Sequence, residues 1–103
     1  MKVNIKLVRD NIPQIAPHRK FRKVKDSGEL MVLVTAKLQE ELDEVLIAKN
    51  KQELIEELAD LHEVMLKFCQ VNGIDWDMVT EAGKSKNLTK GKFEDNWVLD
   101  DTI

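Results

Sequence analysis

Two runs of apolar residues, separated by a brief polar break, constrain this chain more than any other feature of its 103 residues. Leu30, Val34, Leu38, Leu42 and Val45 recur at spacings of four and three; beyond the break, Leu54, Leu58, Leu61, Met65 and Phe68 do the same. That period lines one face of an α-helix, whereas a half-buried strand needs strict alternation. The first helix is expected over residues 29–48, capped by Asp26 or Ser27. The second begins after Asn50, which caps it, with Glu53 three residues on in a capping-box arrangement. Asn72-Gly73 suits a left-handed helix end. So short a connection as Asn50-Lys51 sends the second helix back along the first, giving an antiparallel hairpin.

The flanks are less regular. Pro13, Pro17 and the basic cluster His18, Arg19, Lys20, Arg22, Lys23 and Lys25 disfavour a long helix near the N-terminus. Residues 3–9 read as extended or irregular, residues 10–15 as a turn, and residues 21–25 as a short strand. A third, shorter helix starts at Asp75, with Ile74 and Val79 at the two staple positions, and Gly83 weakens it. From Lys84 the tail is basic, turns at Gly91, and ends in Trp97-Val98-Leu99, which reads as a short strand. There is no repeat and no linker rich in Gly, Ser or Pro, so residues 1–103 are expected to form one mainly α domain with short extended segments at its termini.

Composition removes several classes of function. A net charge of −3 argues against general nucleic-acid binding, which draws on an excess of Lys and Arg. Aromatic residues make up 5% of the chain, too few for a row of base-stacking platforms. No apolar run approaches the roughly 18 residues of a membrane span. A single cysteine, Cys69, cannot form an intrachain disulfide; with no leader-like start, the expectation is a cytoplasmic chain. The cluster from His18 to Lys25 is then a solvated or strand-forming segment that adds local positive potential.

Several acids interrupt this pattern. On an ideal wheel Glu41 falls at about 140°, inside the apolar stripe of the first helix, with Glu44 and Lys37 on its margin. Glu57 intrudes on the stripe of the second helix, and Asp60 flanks it. A lone Glu57 would be read as a cap or a snorkelling side chain. The joint geometry says more: Glu41 and Asp60, like Glu44 and Glu57, lie symmetrically about the turn, so two acids from each helix meet at matching heights. Four carboxylates in one desolvated seam repel, and Lys37 can neutralise only one of them. Hard oxygen donors without His or Cys at ligand spacing select Mg2+, or Mn2+ as a substitute, and Mg2+ keeps positions open for water and substrate phosphates. His62 lies away from these acids and is read as a surface or interface residue. The seam predicts an enzyme that handles phosphates.

Glu40-Glu41, Glu44 and, after twelve residues, Glu57 and Asp60 spell EExxE followed by ExxD. This pattern resembles the all-α nucleotide pyrophosphohydrolases, the group of MazG-like enzymes and phosphoribosyl-ATP pyrophosphohydrolase. The stretch from Lys6 to Pro13 resembles the KLVRDKIP opening of a small MazG-like subgroup, with Asn11 in place of Lys. Lys37 to Glu41 and Glu56 to Val64 are similar to its KLxEE and EELADLxEV segments, and Lys86 to Glu94 to its basic tail ending RGGFE. The resemblance implies hydrolysis of a nucleoside triphosphate or related nucleotide between the α and β phosphates, giving a monophosphate and pyrophosphate. Carried onto this chain, it implies Mg2+ on Glu41, Glu44, Glu57 and Asp60. Glu40 then assists a second ion or orients the attacking water, and Lys37, Lys84, Lys86 and Lys90 contact the triphosphate. For Lys84 a solvated face is an equal reading. Lys90 and Lys92 depart from the tail pattern; Lys92 is strained if the replaced glycine needs positive φ, and otherwise fills space the glycine leaves for a ligand. The KLVRD-like opening disfavours phosphoribosyl-ATP itself as substrate.

Ile55, Ala59 and Leu66 fall outside the main stripe of the second helix, leaving it a second apolar face. The expectation is a homodimer, or a tetramer, whose paired hairpins form a four-helix bundle with substrate in a cleft between subunits. Terminal segments folding back over that face within one chain are the competing arrangement. The rival to an enzyme is a non-catalytic helical dimer that keeps the metal seam as a nucleotide sensor or interaction module. No membrane partner and no stable nucleic-acid partner is expected.

Overall fold

The computed structural model describes residues 5–103, in which four helices and no strand occur. The chain divides into two compact units, Met1–Gly73 and Ile74–Ile103. In the first, α1 (Ile12–Ile15) is a single turn, and α2 (Ser27–Ile47) and α3 (Lys51–Val71) are 21-residue helices packed on each other. At 1.5 Å per residue each runs about 31 Å. Three residues, Ala48 to Asn50, join them, which makes them the expected antiparallel hairpin.

Both starts follow from their caps. The Asp26 carboxylate accepts from the Glu29 amide at 2.8 Å, and the Asn50 side chain accepts from the Glu53 amide at 2.8 Å. Asp26 is therefore the cap of α2, and Ser27 is already helical. The end of α3 also matches its sequence: Gly73 takes φ 70, and the Asn72 and Gly73 amides return to carbonyls of the last turn. Val34 is the one apolar side chain with no exposure at all, and Glu41, at 7%, is the one buried charged residue among those described.

Elsewhere the sequence expectations need correction. Of the stretch expected to be extended or irregular, residues 3 and 4 lie outside the described part and residues 5–9 are irregular, while the expected turn at residues 10–15 includes the helical turn α1. Residues 21–25 form no strand. Instead the Arg22 guanidinium grips Glu29 with two hydrogen bonds of 2.8 Å, and the Lys25 amide donates to the same carboxylate at 2.8 Å. These contacts lash the segment to the start of α2, and a strand without a paired neighbour has no ladder to hold it.

In the second unit α4 (Trp76–Lys90) is the third, shorter helix expected, and it runs through Gly83. One glycine costs a helix about 1 kcal/mol, too little to end one capped by Asp75, whose side chain accepts from the Asp77 amide at 3.1 Å. Gly91 closes it with φ 80. Residues 97–99 are not a strand either; Trp97 is 89% exposed, and no strand occurs among the described residues to pair with the segment.

Candidate functional site

The hairpin carries its acids inward at mid-length. Glu41 from α2 and Glu57 and Asp60 from α3 each bring one carboxylate oxygen to within 4.8 Å of the others. Glu44, the fourth acid of the expected seam, is exposed and outside that triad. Its charge nevertheless reaches Glu57. The Glu57 carboxyl is pushed above the usual glutamate range by desolvation first, then by the negative charges of Glu44, Asp60, Glu41 and Glu53.

The cations around these acids are unevenly shared. Lys37 lies 3.3 Å from Glu41 and 3.4 Å from Glu40, so it serves two acids from the same helix. Glu40 also receives Lys6 at 3.5 Å. The Arg9 guanidinium donates to Asp60 at 2.7 Å, which holds Arg9 firmly in its charged form. Glu57 has no ion pair or hydrogen bond of its own among the described residues. Three hard oxygen donors, one of them without a counter-charge, fit a divalent cation of the Mg2+ class, while no His or Cys joins the group.

Arg9 and Lys6 are the residues that sequence reasoning missed as site residues. The signal was present in the charge balance: with Lys37 as the only cation found beside five acids, further positive groups had to come from elsewhere. The irregular stretch of residues 5–9 supplies them. Between residues 5–7 and α2 lies an open cleft of about 490 Å³, lined by Ile5, Leu7 and Leu33 as well as Lys6, Lys37 and Glu40.

The remaining expected site residues belong to the second unit. Lys84, Lys86 and Lys90 are all exposed on α4, and Lys84 lies 3.3 Å from Glu81, one turn before it. Lys92 is not strained, since Asn96 is the only residue other than glycine with positive φ among those described. Its ammonium lies 3.8 Å from Glu94.

No curated protein and no solved structure gives a significant match to this chain. The family model for phosphoribosyl-ATP pyrophosphohydrolase matches residues 5–87, a span that holds both long helices, every acid of the seam and the Arg9 stretch. An all-helical fold and this match together make the chain a member of the phosphoribosyl-ATP pyrophosphohydrolase family, MazG-like all-α hydrolases that act on phosphoric anhydrides.

Proposed function

We propose that this protein is a Mg2+-dependent nucleotide pyrophosphohydrolase that splits a nucleoside triphosphate, or a related nucleotide, between its α and β phosphates. The observation that carries the reading is the convergence of Glu41, Glu57 and Asp60 within 4.8 Å in a chain of this family. These three, with Glu44 at the margin, are the residues that would hold the ion; Mn2+ is the natural substitute. The chemistry such an ion supplies when bound is a lowered pKa for its water and neutralisation of phosphoryl charge. Glu40, steered by Lys6 and Lys37 at 3.5 and 3.4 Å, orients the attacking water. Water oxygen bonds to the α phosphorus, the bridging P–O bond breaks, pyrophosphate leaves with the electron pair, and the water's proton passes to solvent. Lys37, Lys84, Lys86 and Lys90 are assigned to the phosphates as point charges. The nucleotide is assigned to the cleft beside α2, which shares Lys37, Glu40 and Glu44 with the seam.

The reading includes a homodimer, with a tetramer as its extension, and a cytoplasmic location. Its support is the apolar surface that one hairpin leaves in water: Leu46 is 73% and Ile55 51% exposed. Pairing two hairpins into a four-helix bundle would cover such faces. No helix among the described residues is long and apolar enough to cross a membrane. The decisive experiment measures pyrophosphate release from canonical and damaged nucleotides, with phosphoribosyl-ATP in the same panel, with and without Mg2+. Release that depends on the ion supports the assignment. A folded, ion-loaded sample that turns over none of them points instead to a nucleotide sensor.

A further inference from the structure

Arg9 stands where a mere structural anchor is least expected. Its side chain is 58% exposed, and among the described residues one hydrogen bond, to Asp60 at 2.7 Å, is all that holds the guanidinium. Arg22, by contrast, is spent on Glu29 through two hydrogen bonds of 2.8 Å and a third, of 3.0 Å, to the Lys23 carbonyl. A guanidinium carries five N–H donors in a fixed fork, so most of those on Arg9 are unspent beside the carboxylate triad. Lys37 is more committed, pairing with both Glu40 and Glu41, and Lys6 reaches Glu40, at 3.5 Å, with an ammonium that has no fork to offer. A polyphosphate approaching this many acids needs a cation with donors to give.

Resting on the pyrophosphohydrolase reading, we propose that Arg9 is a phosphate-binding residue of this site. Asp60 holds the guanidinium at the edge of the triad, and the pyrophosphate portion of the nucleotide takes the donors that Asp60 leaves. The planar fork matches phosphate oxygens two at a time, which an ammonium cannot do. Within the irregular stretch of residues 5–9, Arg9 is not locked by helical packing and can follow the phosphate as it binds.

The test is a calorimetric titration of inorganic pyrophosphate into the full chain in Mg2+, beside a titration of Mg2+ alone. Arg9→Gln should weaken pyrophosphate binding by about 10- to 100-fold, the loss expected for charge-assisted hydrogen bonds. It should leave Mg2+ affinity unchanged or raised, because Asp60 sheds a competing cation. Arg9→Lys should recover part of the pyrophosphate affinity. Unchanged pyrophosphate affinity in Arg9→Gln would overturn the proposal, as would a parallel fall in Mg2+ affinity, which marks a residue that only positions Asp60. Should Arg9→Gln lose its helical circular dichroism, Arg9→Lys decides on the same two readings. Tight, Arg9-dependent pyrophosphate binding without turnover of any nucleotide would sink the enzymatic reading and leave this one standing.

Discussion

Lys37 lies 3.3 Å from Glu41, one turn along the same helix, and Glu41 is the only buried acid among the described residues. Opposite them on α3, Glu57 joins the same cluster with no cation of its own among the described residues. One helix therefore brings an acid with its counter-charge and the other brings an acid without one, an imbalance that a divalent ion would relieve.

Glu41→Gln should abolish ion-dependent hydrolysis while the fold stays intact or gains stability, because a negative charge leaves a crowded seam. The expected loss is at least about 100-fold, since several kcal/mol of ion-derived stabilisation are at stake and each 1.36 kcal/mol is tenfold in rate. Steady-state rates together with a thermal melt check both halves. Turnover like that of the parent chain would count heavily against the assignment.

The raised Glu57 carboxyl makes stability depend on pH. A carboxyl raised on folding holds its proton more tightly in the folded chain. Its stabilising contribution is fully present below the unfolded value, about 4.3, and is lost as pH rises through the higher folded value. Without ions, the melting temperature of the parent chain relative to Glu57→Gln should fall as pH rises through that window. With saturating Mg2+ the trend should reverse, because protonation must then displace the ion. Melts across pH 4 to roughly 7, with Mg2+ or a chelator, test the sign.

Glu29 should behave in the opposite way. Hydrogen bonds from Arg22 and from the Lys25 amide, in that order, hold its carboxyl down at about 2. The stability this linkage contributes is present above the unfolded value, about 4.3, and disappears as pH falls through about 2. Arg22→Ala should move the Glu29 titration upward, as read from its side-chain carbon shifts by NMR. A titration that does not move would show that the Arg22 grip is absent in solution.

Asn50→Ala should cost about 1 kcal/mol, the ordinary worth of a helix N-cap. For a chain of this size that is a fall of about 4–8 °C in melting temperature at fixed protein concentration. An unchanged melt would mean that the hydrogen bond to the Glu53 amide contributes nothing to the hairpin.

For the proposed dimer, Ile55→Lys should give a monomer, since a charge on a half-exposed apolar position must be desolvated on pairing. Light scattering on both proteins decides. A parent chain that is itself monomeric would remove the four-helix bundle from the reading.

Local chemistry determined the hairpin. The caps Asp26 and Asn50, the Asn72-Gly73 stop and the two apolar stripes act within a few residues of themselves, so they can be read without knowing the fold. The meeting of Glu41 with Glu57 and Asp60 was legible for the same reason, because a short turn fixes the register of two antiparallel helices. The strands expected at residues 21–25 and 97–99 failed, because a strand depends on a partner elsewhere in the chain that no local pattern supplies. Only the tertiary structure could bring Arg9 to Asp60, 51 residues away, and Lys6 to Glu40. An irregular segment has no period from which its path can be read, so charge balance announced that cations were needed and the packing of the chain decided which ones arrived.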